Sequence, residues 1–229
     1  MTVLALQSIH FSNGKVLGYE VLARRIVSGR MLSPGQFMAN SQPGEWILLD
    51  REIVTLVADN IAELSGIGPL FINISAETLT SISDAKSLIK ALAGVCSLGL
   101  EIVLEISEKY SDGAESLDSL LLFARSLGLG VAIDDFGSDN SNMARLVGHK
   151  WDYCKIDLPA LLVPTNLALL TAIRDYCMAN HVGLILEKVE DVSILSGWLK
   201  PLNGASLQGF ALSKPDVLNR APSLSQSSR

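Results

Sequence analysis

Six oxygen-bearing side chains in this chain lie at or near the ends of apolar runs, and that placement is its first chemical signal. Glu20 falls late in the run Val16–Ala23, Asn73 late in Leu70–Ile74, and Glu105 late in Glu101–Ile106. Asp134 and Asp135 close Val131-Ala132-Ile133, and Glu187 ends Gly183-Leu184-Ile185-Leu186. Two further polar groups are placed alike, Lys155 in Tyr153-Cys154-Lys155-Ile156-Asp157 and Gln208 in Ser206-Leu207-Gln208-Gly209-Phe210. An uncompensated charge inside an apolar strand is expensive. A solvated face explains one or two such residues, not a polar group late in seven consecutive strands. Five carboxylates and one amide gathered in one place repel one another unless cations sit between them. Hard oxygen ligands favour Mg²⁺ or Mn²⁺ over zinc. The residues thus point to a metal-dependent enzyme or binding site acting on phosphate, without naming the substrate.

The elements that must position these groups are short β-type runs alternating with longer helical ones. Strands are predicted over Val3–Ile9, Val16–Ala23, Leu70–Ile74, Glu101–Ile106, Val131–Phe136, Tyr153–Ile156, Leu184–Lys188 and Ser206–Phe210. Helices are predicted over Trp46–Leu64, Ala85–Val95, Ala114–Leu127, Leu167–Asn180 and Val192–Leu199. In the first of these, Val54, Val57, Ile61 and Leu64 recur with the period of one helix face. Asn13-Gly14 marks a tight turn, so the first two strands form an antiparallel hairpin. Eight strands with alternating helices predict an α/β fold, a TIM-like (β/α)8 barrel whose first strand is antiparallel. An open doubly wound sheet is the structural alternative. In a barrel the late-strand residues converge on one mouth, where the loops after the strands build active sites.

Composition narrows the class. The chain has 229 residues, 48% hydrophobic but only 6% aromatic, which predicts an aliphatic core suited to a covered parallel sheet. No run approaches the roughly 18 apolar residues of a membrane span, and the first residues carry no signal-peptide pattern. The expected location is cytoplasmic, with no membrane partner. The net charge of −6 counts against binding to polymeric nucleic acid, which relies on Lys and Arg. Cys96, Cys154 and Cys177 form no zinc or disulfide pattern, and His10, His149 and His181 are too scattered for a histidine site. Residues 1–220 are expected to form one domain and the Ser-rich residues 221–229 a disordered tail.

At these same positions the chain resembles the EAL family of cyclic di-GMP phosphodiesterases. The signature Glu-Ala-Leu-x-Arg appears as Glu20-Val21-Leu22-Ala23-Arg24, and Gln-Pro-Ile as Gln7-Ser8-Ile9. Asn73-Ile74-Ser75, Leu104-Glu105-Ile106-Ser107-Glu108, Asp134-Asp135-Phe136-Gly137 and Lys155-Ile156-Asp157 follow in the family's order. Glu187-Lys188-Val189-Glu190 and Gln208-Gly209-Phe210, followed by Pro215, complete the set. The resemblance implies a stand-alone EAL domain that uses two Mg²⁺ or Mn²⁺ ions to hydrolyse cyclic di-GMP to linear pGpG. It implies one ion on Glu20, Asn73, Glu105 and Asp134, and a second on Asp134, Asp135 and Glu187. Lys155 would orient the nucleophile and offset charge on phosphorus, or else serve only as a barrel lysine paired with a buried carboxylate. Gln208 would hydrogen-bond the attacking water. Arg24 would grip the substrate phosphate, the rival reading being an ordinary surface arginine. Gln7 and Asp157 are further substrate-side candidates, and Glu108 would anchor the loop after Asp135. Glu190 is expected at a helix start rather than on metal. Biofilm and motility signalling and a homodimer are what the family suggests.

Three departures from the family pattern qualify that reading. Val21 replaces the signature alanine, a conservative change in an apolar strand. Lys188 stands where the family has glycine, and strand alternation predicts that it faces away from Glu187. The loop Ser138-Asp139-Asn140-Ser141-Asn142 replaces Thr-Gly-Tyr-Ser-Ser, losing a glycine and a tyrosine. The altered loop is the basis for the alternative function, a weak or inactive EAL-like module that binds cyclic di-GMP or a protein partner as a receptor.

Overall fold

A computed structural model describes residues 1–107, 110, 114–137, 143–161, 166–193, 202 and 204–218. Glu108, the loop Ser138–Asn142, residues 194–199 of the helix expected over Val192–Leu199 and the tail 221–229 lie outside the described residues. The strands are β1 (Thr2–His10), β2 (Val16–Val27), β3 (Arg30–Leu32), β4 (Leu70–Ile74), β5 (Ile102–Ser107), β6 (Gly130–Phe136), β7 (Tyr153–Asp157), β8 (Gly183–Glu187), β9 (Ser206–Leu207) and β10 (Asp216–Val217). The helices are α1 (Pro34–Phe37), α2 (Glu45–Asp59), α3 (Ile61–Leu64), α4 (Ala76–Thr80), α5 (Ile82–Cys96), α6 (Ala114–Ser126), α7 (Met143–Gly148), α8 (Leu158–Leu161) and α9 (Leu167–Ala179).

Seven strands run parallel in the order β2-β4-β5-β6-β7-β8-β9, and β1 closes the ring antiparallel to both β2 and β9. The result is the predicted TIM-like barrel, eight strands with the first antiparallel to its neighbours. Its hairpin turns at Gly14, whose φ of 83° is readily adopted only by glycine and a few polar residues. β3 and β10 pair on the outside, with β2 and β1 respectively. The long helix predicted over Trp46–Leu64 is divided at Asn60, whose side-chain amide donates to the Leu56 carbonyl at 2.7 Å and competes with the helical ladder. No described helix is long and apolar enough to cross a membrane.

Two apolar layers hold the barrel. The larger lies between strands and helices and is aliphatic, as the low aromatic content predicts. The smaller fills the barrel interior with Ile9, Phe71, Val103, Ala132 and Ile185. Phe71 is fully buried and meets the Tyr153 ring edge-on, with centroids 5.0 Å apart. Because strand side chains repeat every second residue, two steps beyond Phe71, Val103, Ala132 and Ile185 lie Asn73, Glu105, Asp134 and Glu187. The apolar plug is the floor on which the polar ring stands. Phe71→Ala should destabilise the fold by about 3–5 kcal/mol in urea titrations; a loss under about 1 kcal/mol would mean that the plug is not close-packed.

Candidate functional site

Lys155 occupies the centre of the polar ring. Its side chain has no solvent exposure, and Nζ lies 3.0 Å from Asp134 Oδ1, 2.9 Å from Glu187 Oε1 and 3.8 Å from Glu20 Oε2, and also contacts Glu105 Oε1. Asn73 Nδ2 bridges two of these carboxylates, donating to Glu20 Oε1 at 2.9 Å and Glu105 Oε2 at 2.7 Å. Gln208 Nε2 donates to Glu20 Oε2 at 2.5 Å and to Gln7 Oε1 at 3.5 Å, and Gln7 Nε2 donates to the Ser213 carbonyl at 3.0 Å. The antiparallel pairing of Gln7 with Glu20 brings that arm of the network onto the ring. Gln208 is seated because Gly209 has no side chain: a Cβ there would stand 2.2 Å from the Val189 carbonyl oxygen.

Asp134 and Asp135 both reach the mouth although neighbouring strand residues ordinarily face opposite ways. The register of β6 against β7 shifts between Ile133 and Phe136, and Asp135 adopts φ +52°, so the irregularity turns both carboxylates toward the cleft. The cleft above the ring measures about 870 Å³. Gln7, Glu20, Asn73, Asp134, Asp135, Glu187 and Gln208 line it, with Arg24 and Glu190 at its sides, while Glu105 and Lys155 lie fully buried beneath. Arg24 Nη1 donates to the Ala23 carbonyl at 2.8 Å, and burial draws its guanidinium below the ordinary value, with Glu20 opposing.

Lys188 corrects the strand-alternation expectation. β8 ends at Glu187, and Lys188 itself takes the left-handed conformation, φ +56°, so the rule for consecutive strand residues no longer applies. Its ammonium turns into the mouth, 2.6 Å from Asp157 Oδ2 and 3.3 Å from Asp135 Oδ1. Asp157 is therefore engaged with Lys188, and it also accepts from the Ala160 amide at 3.3 Å.

One contributor escaped the sequence reading. Asp50, buried on α2, accepts from the Ser75 amide at 3.0 Å, the Ser75 hydroxyl at 2.7 Å and the Thr78 hydroxyl at 2.6 Å. It pins the start of α4 and with it the β4 end that carries Asn73. Burial raises its carboxyl above the usual range, opposed by the Thr78 and Ser75 hydrogen bonds. The signal was a charged residue four positions before Val54, on the buried face of α2.

Four carboxylates around one ammonium leave a formal excess of three negative charges. Burial alone would lower the Lys155 ammonium, but Asp134, Glu105, Glu187 and Glu20 outweigh it and hold it well above its ordinary value. Burial pushes Glu105 well up despite Lys155. It pushes Glu187 up to about 8, Lys155 opposing and Asp134 and Glu20 adding. The carboxylates turn onto Lys155, and among the described residues no three acidic, histidine or cysteine side chains stand arranged to ligate an ion. The donor set nevertheless fits a hard divalent cation: Glu187 Oε2 and Gln208 Oε1 are buried with neither a hydrogen-bond nor an ion-pair partner, and the remaining oxygens are those of carboxylates and an amide.

A family model described as "EAL domain" matches residues 2–215. The chain is 30% identical over 212 residues to YkuI, an uncharacterized EAL-domain containing protein of Bacillus subtilis, covering 88% of this chain and 51% of that protein. It is 29% identical to PdeN, a probable cyclic di-GMP phosphodiesterase of Escherichia coli, covering 88% of this chain and 40% of PdeN. Against the crystal structure of YkuI in complex with substrate c-di-GMP and calcium, the TM-score is 0.83 at 28% identity, over 96% of this chain and 57% of that one. An EAL domain protein from Listeria monocytogenes gives 0.75 at 25% identity, over 94% and 88% of the two chains. The chain thus spans about half or less of these two curated relatives.

The raised Glu187 carboxyl sets a pH dependence. Between the ordinary carboxyl range and about 8, the folded protein holds a proton that the unfolded chain has released, so stability declines as pH rises through that window. The urea midpoint of metal-free protein should fall between about pH 5 and about pH 8, and Glu187→Gln should flatten that fall. A midpoint rising over the same range, or an unchanged slope in the variant, would contradict the assignment.

Proposed function

We propose that this chain, which belongs to the EAL domain family, is a metal-dependent phosphodiesterase that hydrolyses cyclic di-GMP to linear pGpG. The observation that carries this reading is the convergence of Glu20, Asn73, Glu105, Asp134, Asp135 and Glu187 with Lys155 at one barrel mouth. The likeness to YkuI, whose structure holds c-di-GMP and calcium, supports the choice of ligand. Glu20, Asn73, Glu105 and Asp134 would hold one divalent ion, Mg²⁺ or Mn²⁺, and Asp134, Asp135 and Glu187 a second. Bound there, the ions supply Lewis acidity that activates a water and draws charge from the phosphodiester.

The chain's own residues do the remainder. Lys155, kept positive by its carboxylates, orients the attacking water and offsets charge on phosphorus. Gln208 presents an unpartnered Oε1 to that water. Arg24, at the side of the cleft, grips a phosphate, a task suited to the planar guanidinium. Gln7 lines the floor on the substrate side, and Asp157 acts through Lys188. One P–O bond forms from water, one P–O bond to ribose breaks, and the departing oxygen takes up a proton. The reading includes a cytoplasmic homodimer. Ion pairing between Lys188 and Asp135 favours a second reading, in which the mouth binds cyclic di-GMP without turnover.

Purified protein incubated with cyclic di-GMP and Mg²⁺ or Mn²⁺ should release pGpG, followed by chromatography. The activity should vanish with EDTA and fall by at least about a hundredfold in Glu20→Ala. Tight cyclic di-GMP binding without turnover under either metal would overturn the hydrolase and leave the receptor.

A further inference from the structure

Lys188 is the one cation at the mouth, among the described residues, to which the chemistry above gives no step. Its backbone is left-handed at φ +56°, a conformation that glycine adopts freely and that strains most other residues. The residue it reaches, Asp135, is also left-handed at φ +52°. The two irregular strand ends flank β7, and the Lys188 side chain spans from β8 across β7 to β6. Its ammonium is anchored at 2.6 Å on Asp157, whose side chain is 11% exposed, and extends to Asp135 at 3.3 Å. Asp135 is also the carboxylate that would serve the second divalent ion and not the first.

We propose that Lys188 is a tethered cation that competes with the second divalent ion for Asp135, so the mouth takes up one ion readily and a second much more weakly. The inference rests on the metal reading given above and deepens it. An ammonium and a divalent ion drawn to one carboxylate repel each other. Displacing Lys188 gives up its contact with Asp135, but the side chain is 53% exposed and can swing outward. Competition, rather than exclusion, follows. Asp157 supplies the resting place that keeps the ammonium at the mouth when no second ion is bound.

The test is a Mn²⁺ titration, by calorimetry and equilibrium dialysis, of the intact chain and three variants. Lys188→Met removes the charge and keeps the length, Lys188→Gly also suits the left-handed backbone, and Lys188→Arg keeps the charge. Wild type and Lys188→Arg should bind one ion, with the second at least about tenfold weaker, or ~1.4 kcal/mol. In Lys188→Met and Lys188→Gly the second ion should tighten by at least about tenfold while the first changes less than about threefold. Adding Asp135→Asn to Lys188→Met should abolish that gain. Two ions bound alike by wild type and Lys188→Met would overturn the proposal, as would a gain confined to Lys188→Gly, which would assign it to backbone strain. Absence of Mn²⁺ binding in every form would overturn the metal reading itself.

Discussion

The site depends on one buried ammonium among four carboxylates. Lys155 sits at zero exposure, where a lone charge could not persist, and Glu20, Glu105, Asp134 and Glu187 are held in a barrel interior where their mutual repulsion is poorly screened. Each side makes the other tolerable. The balance is incomplete, because the negative charge exceeds the positive. That excess, together with burial, raises the Glu105 and Glu187 carboxyls above their ordinary values. Cations and protons are thus alternative answers to the same surplus, which ties folding stability, pH and metal affinity to one cluster.

The barrel supplies what a looser scaffold could not. Its apolar plug sits directly below the ring, so the residues that stabilise the fold also fix the height of the ligands. The strands carrying Asn73, Glu105, Asp134, Lys155 and Glu187 are parallel, and their alternation sends every second side chain inward. Departures from regularity occur where chemistry needs them. The register shift at Asp134–Asp135 presents consecutive carboxylates on one side, and Asp50 clamps the turn after Asn73 from an adjacent helix. The antiparallel first strand adds Gln7 to a ring that parallel strands otherwise build.

Much of this was legible in the residues. Short apolar runs alternating with helical stretches, and the placement of Glu20, Asn73, Glu105, Asp134 and Glu187 late in those runs, are local patterns, and they led to the barrel and its mouth. Asn13-Gly14 carried the hairpin, since a tight turn with glycine at positive φ is a local matter too. Long-range side-chain partnerships were less accessible. Asp50 fell inside a predicted helix without being singled out, because its partners, Ser75 and Thr78, lie 25 and 28 residues away. Lys188 was placed on the wrong side because alternation holds only while the strand lasts, and nothing local announces that β8 stops at Glu187. Asn60 divided a helix through a side-chain hydrogen bond that hydrophobic periodicity does not register.

The central claim is that the ring is an over-charged cation site in which Lys155 answers part of the surplus. Thermal unfolding of Lys155→Met near pH 8, with and without Mn²⁺, tests it most directly. Removing one partner from a buried ion cluster should cost about 3–5 kcal/mol without the ion. Mn²⁺ should then restore more stability to the variant than it adds to the wild type. A variant as stable as wild type in the absence of metal, or one that Mn²⁺ stabilises no further, would contradict the account.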